Sequence, residues 1–213
     1  MLVVYRMFNG KLFEINKFVN RGKDDTEGGW SKFYYGVFND VIKQNNFKNV
    51  AEVGIGYGMH AKCILDETNV DKLYLVDPMR WYPDDGFAID VMKYGGFEKL
   101  VKNIKLKLNP HKSRYTWFRK GSTEVTQEEI PDNSLDAVFI DADHSYQAVC
   151  QDLPFWYNKV KVGGWILGDD YSQQTMGVKQ AVDEFSQKNK LPLEFLYKKN
   201  GKHNYPIYKF IKK

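Results

Sequence analysis

The sequence predicts an α/β fold: a doubly wound, mostly parallel sheet with helices on both faces. From about residue 49 onward, short apolar runs alternate with helical segments, which is the pattern of parallel strands joined by crossover helices. A glycine-rich turn separates the first of these strands from its helix. Near the C-terminus, Asn200 and Gly201 lie between two strand-like runs and predict an antiparallel hairpin, because a type I′ turn needs positive φ at both central residues.

Length and composition describe an ordinary globular chain. Its 213 residues fit one domain with a sizeable core, and 43% of them are hydrophobic and 27% charged. The net charge of +4 is mild and the basic residues are scattered outside the C-terminal tail, so a nucleic-acid partner is not indicated. No apolar run is long enough for a signal peptide or a membrane span, so we expect a cytoplasmic protein without a membrane partner.

The first half of the predicted sheet contains three strands. They are NVAEVGI at 49–55, KLYLVDP at 72–78 and YTWFRKGS at 115–122. A helix is predicted at 57–67, and a second helical stretch from about 87 to 107 is expected to break at Gly95 and Gly96.

The second half continues the alternation of strands and helices. SLDAVFIDA at 134–142 and WILGDD at 165–170 are predicted strands, and a helix is predicted at 176–189. Ser145 is the expected N-cap of the helix at 146–160. Pro154 either kinks that helix or shows that it begins later.

Residues 1–48 differ in kind from the alternating pattern, and we predict a helical cap or lid segment there, followed by the main domain at 49–213. After a polar loop, one helical face collects apolar side chains, namely Phe33, Val37, Phe38, Val41 and Ile42. That helix either packs on the sheet or covers a ligand, and the sequence leaves both interpretations open.

The glycine-rich turn carries Gly54, Gly56 and Gly58, with Glu52 two residues before the first glycine. Glycines let the backbone approach a ligand closely, and the following helix N-terminus offers free N–H groups to an anionic group. A dinucleotide-binding turn would place its third glycine at position 59, which is Met59. The spacing therefore disfavours a dinucleotide-binding oxidoreductase.

The pattern Glu-x-Gly-x-Gly-x-Gly resembles the first motif of class I S-adenosylmethionine-dependent methyltransferases. The resemblance implies a Rossmann-like, seven-stranded sheet with an antiparallel final strand, and it gives Glu52 and the three glycines to the cofactor. It implies further that Asp77, at the end of the next strand, accepts hydrogen bonds from the ribose hydroxyls, a role that suits an acceptor-only carboxylate. Gly121 and Ser122 stand where this family holds the adenine ring.

Acidic residues end two later strands, which are neighbours in the fold that this resemblance implies. Asp141 ends one strand, and Asp169 and Asp170 end the other. Carboxylates crowded at one sheet edge repel one another unless a cation is present. Oxygen ligands favour Mg²⁺, Ca²⁺ or Mn²⁺ over zinc, and we expect Mg²⁺ first.

The stretches IDADHSY and GDDY resemble metal-dependent O-methyltransferases of the macrocin and sugar O-methyltransferase type. That resemblance implies metal ligands at Asp141, Asp169 and Asp170, and a catalytic base at His144 beside the catalytic Asp141. Asp143 is the rival base, or it orients His144. Because His144 precedes a predicted helix N-terminus, we expect the helix dipole to keep its ring neutral.

Together these features predict transfer of a methyl group from S-adenosylmethionine to a hydroxyl of a small molecule, for example a sugar, with help from a divalent ion. One alternative is a metal-free methyltransferase acting on nitrogen or nucleic acid, although the Pro-Pro-aromatic motif of amino-methylating DNA enzymes is absent. Another is an inactive methyltransferase-like binding subunit. His60, His111 and His203 are expected to be structural or surface residues, and the oligomeric state stays open, a homo-oligomer included.

Overall fold

The computed structural model describes residues 5–8, 11–14, 36–81, 86–173, 175–196 and 206–213. The strands in these ranges are β1 Tyr5–Phe8, β2 Lys11–Glu14, β3 Asn49–Val53, β4 Lys72–Val76, β5 Tyr115–Phe118, β6 Leu135–Ile140, β7 Val160–Gly168, β8 Glu194–Leu196 and β9 Ile207–Ile211. The helices are α1 Gly36–Asn45, α2 Met59–Glu67, α3 Gly86–Tyr94, α4 Phe97–Leu108, α5 Tyr146–Lys159 and α6 Met176–Asn189.

Seven strands form the main sheet in the order β5-β4-β3-β6-β7-β9-β8. The first five of these run parallel, and β9 pairs antiparallel with both β7 and β8. This confirms the predicted mostly parallel sheet with an antiparallel C-terminal pair. The predicted turn residues Asn200 and Gly201 themselves lie outside the described residues.

The sheet is covered on both faces because neighbouring residues of a strand point to opposite sides. In β4, Leu75 belongs to an apolar cluster that includes residues of α1, α2 and α4, whereas the adjacent Val76 belongs to a second cluster with α5 and α6. The doubly wound architecture follows from these two apolar layers. None of the helices in the described ranges is long and apolar enough to cross a membrane.

Local signals set several helix ends as predicted. The Ser145 hydroxyl accepts a hydrogen bond from the Ala148 N–H and caps α5, which begins at Tyr146 and contains Pro154. The interpretation that this helix begins later is therefore wrong. Gly95 and Gly96, with φ of 115° and 93°, separate α3 from α4 as expected.

One strand is longer than the sequence indicated. Strand β7 begins at Val160 and not at Trp165, because Val160 already pairs with Leu135 of β6. The register shifts between Leu135 and Ala137, and Gly163 takes a φ of 80°. Gly163 and Gly164 therefore lie within an irregular part of the strand.

The N-terminal prediction is only partly matched by the described residues. In α1, Phe38, Val41 and Ile42 are buried in the core and Val37 is partly buried, while Phe33 lies outside the described residues. The helix therefore packs on the sheet, and its role as a lid stays a prediction. The helical prediction for 1–48 missed the two-stranded sheet of β1 and β2.

Candidate active site

Residues 54–58, here called the glycine loop, connect β3 to α2. Gly54, Gly56 and Gly58 have φ values of 81°, 47° and 72°, a region that favours glycine. The Gly54 N–H donates to the Val76 carbonyl at 2.9 Å, and the Gly58 N–H donates to the Ile55 carbonyl at 2.7 Å. The loop is thus a tight turn fastened to the neighbouring strand β4.

The three glycines meet different surroundings. A Cβ added at Gly54 would lie 1.9 Å from the backbone oxygen of Asp141, and one at Gly58 would lie 2.8 Å from Ile104 Cγ2. A Cβ added at Gly56 would meet nothing within 4 Å. Packing within the protein therefore requires Gly54 and Gly58, whereas Gly56 borders open space that a ligand can fill.

Asp77 directly follows β4, and its carboxylate holds two backbone N–H groups. One oxygen accepts from Ile55 of the glycine loop at 2.9 Å, and the other accepts from Met79 at 2.8 Å. A carboxylate oxygen can accept more than one hydrogen bond, so the partly exposed Asp77 keeps capacity for ligand hydroxyls. Its predicted contact with a ribose stays a prediction.

Glu52 lies on β3 and is only 2% exposed. Its Oε1 atom is 3.2 Å from His60 Nδ1, while Oε2 has no hydrogen-bond partner among the described residues. Burial raises the pKa of the Glu52 carboxyl, although His60 opposes this shift. Glu52 therefore offers almost no surface to a ligand, and its predicted cofactor contact is untested.

Gly121 and Ser122 follow β5 at the start of a short turn. The Ser122 hydroxyl accepts a hydrogen bond from Trp156 Nε1 at 2.8 Å, and the Gly121 N–H donates to Glu124 at 2.7 Å. Ser122 also hydrogen-bonds the buried Asp152, whose pKa is raised to about 6, mainly by burial. Both predicted adenine-site residues thus have structural contacts of their own.

Asp141, His144 and Asp170 come together at the carboxyl ends of β6 and β7. His144 Nε2 lies 3.3 Å from Asp141 Oδ1 and 3.2 Å from Asp170 Oδ2. One ligand atom from each residue lies within 4.8 Å of the others. We call these three partly exposed residues the acidic edge, and its two carboxylates suit a hard divalent cation such as Mg²⁺ or Mn²⁺.

Two neighbouring acids have other surroundings. Asp169 is 3% exposed and does not belong to the acidic edge, and the next residue, Asp170, takes a left-handed φ of 59°. Asp143 is exposed, and its Oδ1 accepts from the Ser145 N–H at 2.8 Å. Asp143 therefore stabilises the turn before α5, whatever its part in proton transfer.

The electrostatics of His144 differ from the sequence-based expectation. The hydrogen bond with Asp141 is the largest influence on its pKa and raises it, with further contributions from the charges of Asp170 and Asp169. Burial acts in the opposite direction but is outweighed. The net shift is therefore upward, opposite to the effect expected from the helix dipole, because carboxylates at hydrogen-bonding distance act more strongly than a helix end.

The glycine loop and the acidic edge share a boundary. Asp141 donates its backbone N–H to the Val53 carbonyl at 2.8 Å, and its own carbonyl occupies the space over Gly54. A ligand at the loop and an ion at the acidic edge would therefore lie next to each other, at the adjacent ends of the paired strands β3 and β6.

The remaining histidines show what sequence reasoning missed. His111 pairs with Asp66 at 2.7 Å and His203 lies outside the described residues, but His60 is 3% exposed and pairs with Glu52 beneath the glycine loop. The available signal was its spacing, since His60 follows the last glycine by two residues as Glu52 precedes the first by two.

Comparisons with known proteins identify the family and the fold. A family model described as "Methyltransferase domain" matches residues 51–171. The "Uncharacterized protein R132" of Acanthamoeba polyphaga mimivirus is 36% identical over 87 residues, which is 39% of this chain and 39% of that protein.

Two solved structures illustrate the similarity in fold. A provisionally assigned caffeoyl-CoA O-methyltransferase from Staphylococcus aureus has a TM-score of 0.62 at 14% identity, covering 91% of both chains. A provisionally assigned rRNA methylase from Clostridium thermocellum has a TM-score of 0.57 at 17% identity, covering 83% of this chain and 94% of its own. The family match spans more than half of the sequence and includes both the glycine loop and the acidic edge. The chain therefore belongs to the methyltransferase domain family, which implies S-adenosylmethionine as its methyl donor.

Proposed function

We propose that this protein transfers a methyl group from S-adenosylmethionine to a hydroxyl of a small molecule, with a divalent cation assisting the reaction. A sugar hydroxyl is one acceptor class that fits. The observation that carries the proposal is the convergence of Asp141, His144 and Asp170 directly beside the glycine loop. Similarity to the S. aureus O-methyltransferase structure supports the same reaction class.

The glycine loop and Asp77 would hold the methyl donor. Gly56 borders open space, and α2 begins at the end of the loop without a side-chain cap, so its first N–H groups can receive the carboxylate of the donor. Asp77 would accept from the ribose hydroxyls, and Gly121 and Ser122 would lie near the adenine. Bound there, S-adenosylmethionine supplies an electrophilic methyl group.

Asp141 and Asp170 would hold the cation, and the buried Asp169 behind them adds negative charge. A divalent ion lowers the pKa of a hydroxyl that it binds and makes that oxygen a better nucleophile. His144 lies between the two carboxylates and would accept the hydroxyl proton during methyl transfer. Asp143 has a structural hydrogen bond that explains its presence, so we give the base role to His144.

The carboxylates of the acidic edge have two competing uses. In the structure they stabilise positive charge on His144, which raises its pKa and leaves less of the ring unprotonated and able to accept a proton. When they hold a cation instead, their negative charge is balanced and they no longer raise the pKa of His144. The arrangement therefore favours base catalysis only in the cation-loaded protein.

A ligand-binding experiment tests the cofactor and the cation together. Thermal unfolding is measured with S-adenosylmethionine, S-adenosylhomocysteine or NAD, each with and without Mg²⁺. We expect the two sulfur compounds to raise the unfolding temperature, NAD to leave it unchanged, and Mg²⁺ to act on wild type but not on Asp141→Asn. Stabilisation by NAD alone would contradict the proposal.

Methyl transfer to a panel of hydroxyl acceptors then tests the metal. Activity should disappear in EDTA and return with Mg²⁺. The rival reaction is metal-free transfer to nitrogen or nucleic acid. The similarity to the C. thermocellum structure is the observation that favours this rival. Transfer to RNA that persists in EDTA would replace our proposal with that rival.

A further inference from the structure

We propose that the buried pair of Glu52 and His60 sets the shape of the glycine loop and thereby the affinity for the methyl donor. In this proposal His60 is a positioning residue, since its side chain acts through Glu52 and the loop. The inference rests on the proposed function, because donor binding at the glycine loop is the property that the pair would control.

Glu52 and His60 lie on either side of the glycine loop in the sequence. Glu52 stands near the end of β3 and His60 is the second residue of α2, so the two side chains bracket the whole glycine loop. His60 Nδ1 lies 3.2 Å from Glu52 Oε1. The contact therefore joins the strand before the loop to the helix after it and fixes the distance between them.

The pair of Glu52 and His60 lies in apolar surroundings. The His60 ring packs at 4.9 Å from the Phe139 ring and at 5.8 Å from the Phe38 ring, measured between centroids. Such apolar surroundings strengthen a hydrogen bond and make the loss of either partner costly. The pair is thus a rigid connection, and Phe38 brings α1 into contact with it.

The pair would affect ligand binding through the glycine loop and the first turn of α2. The glycine loop is held from the side by Asp77, which accepts from Ile55, and by Asp141, whose carbonyl packs on Gly54. The first turn of α2 directly follows the loop, and its N–H groups are the proposed partners of the donor's carboxylate. Without the contact between Glu52 and His60, that turn loses its connection to β3 and the N–H groups no longer converge.

The experiment compares three variants by calorimetric titration with S-adenosylhomocysteine, at a temperature where circular dichroism shows each to be folded. His60→Leu removes the donor at similar volume and should bind about tenfold more weakly or worse. His60→Asn keeps a nitrogen donor near the Nδ1 position and should stay within about threefold of wild type. Ile64→Val, a buried change in the same helix, should lower stability but leave the affinity unchanged.

A fourth variant separates positioning from stability. Glu52→Met combined with His60→Leu replaces both polar partners by apolar groups, which restores stability because no buried polar group is left alone. The double variant should fold well and still bind S-adenosylhomocysteine about tenfold more weakly than wild type. It also keeps the test decisive if His60→Leu alone does not fold.

The outcomes distinguish the two proposals. Wild type that binds neither S-adenosylhomocysteine nor S-adenosylmethionine would overturn the proposed function and this inference together. Wild-type binding combined with unchanged affinity in the double variant would overturn the inference alone. Weak binding by the double variant, with His60→Asn and Ile64→Val close to wild type, would establish His60 as a positioning residue.

Discussion

The glycine loop and the acidic edge lie side by side, but different forces hold them. The loop is fixed by steric contact, since Gly54 and Gly58 leave no room for a Cβ against Asp141 and Ile104. The acidic edge is held by charge, with His144 between two partly exposed carboxylates at 3.2 and 3.3 Å. The glycine loop depends on the absence of side chains at its glycines, and the acidic edge depends on the charges of its side chains.

This difference predicts how each region responds to mutation. Added volume should damage the loop even when no charge changes. Removal of charge should damage the acidic edge even when shape is preserved. Three experiments, taken from the largest expected effect to the smallest, can break or sharpen this contrast, and a fourth tests the pH dependence of stability.

The largest effect is expected for Gly54→Ala. The new Cβ would clash with the Asp141 backbone at 1.9 Å and would sit on a residue with a φ of 81°. Because backbone cannot move aside as a side chain can, we expect a loss of about 4 kcal/mol or more, or no folded protein. Urea unfolding measures the change.

Gly56→Ala is the matched control for this clash. It adds the same methyl group at a positive φ, but nothing lies within 4 Å of it. We expect a cost of only about 1–2 kcal/mol from the left-handed backbone. Equal losses for the two variants would show that backbone strain and not packing makes the loop sensitive.

His144→Ala should have the next largest effect. Removal of the proposed base should lower turnover by about 10²–10⁴-fold. Binding of S-adenosylhomocysteine should be unchanged, because His144 contacts the carboxylates and not the glycine loop. Single-turnover kinetics with a Mg²⁺-dependent acceptor, together with calorimetric titration, measure both quantities. Wild-type turnover in this variant would remove His144 from the mechanism.

Asp170→Asn tests charge at constant shape. Asparagine tolerates the left-handed φ of 59° at this position, so the backbone should stay as it is. Loss of one negative ligand should weaken Mn²⁺ binding, measured by electron paramagnetic resonance, by at least about tenfold.

Asp143→Asn is its control. An asparagine side chain can still accept from the Ser145 N–H, so only the charge of this exposed neighbour is removed. We expect Mn²⁺ affinity within about threefold of wild type. Equal losses in the two variants would mean that general negative charge, and not ligation by Asp170, attracts the ion.

The last experiment concerns the pH dependence of stability. Burial raises the pKa of Asp152 to about 6 from its ordinary value of 3.8. Because the folded state then binds its proton more tightly than the unfolded state, this contribution is fully present below about pH 4 and lost as pH rises through about 6. We expect the unfolding free energy of wild type to fall by about 2–3 kcal/mol over this range, relative to Asp152→Asn. Parallel pH profiles for the two proteins would contradict this.

Much of the fold could be predicted because its signals are local. The alternation of apolar runs, the Ser145 cap and the break at Gly95 and Gly96 each depend on a few neighbouring residues. The early start of β7 could not be predicted, since Val160 joins the strand through its pairing with Leu135. Pairing between distant segments has no local signature.

The candidate site, like the fold, could be predicted only in part from the sequence. The glycine spacing pointed to the loop, and the acids at the strand ends pointed to the acidic edge, before any distance was known. The sequence did not separate Asp169 from Asp170, because the burial of Asp169 and the contact of Asp170 with His144 are properties of the folded chain.

The sequence by itself determined the sheet, the methyltransferase-like glycine loop and the residue types at the acidic edge, because short-range patterns encode each of them. Only the tertiary structure decided that His144 lies between Asp141 and Asp170, and that the two carboxylates raise its pKa. It also decided that His60 is buried against Glu52. The physical reason is the same in both cases: partners and burial depend on which strands and helices become neighbours in the folded chain.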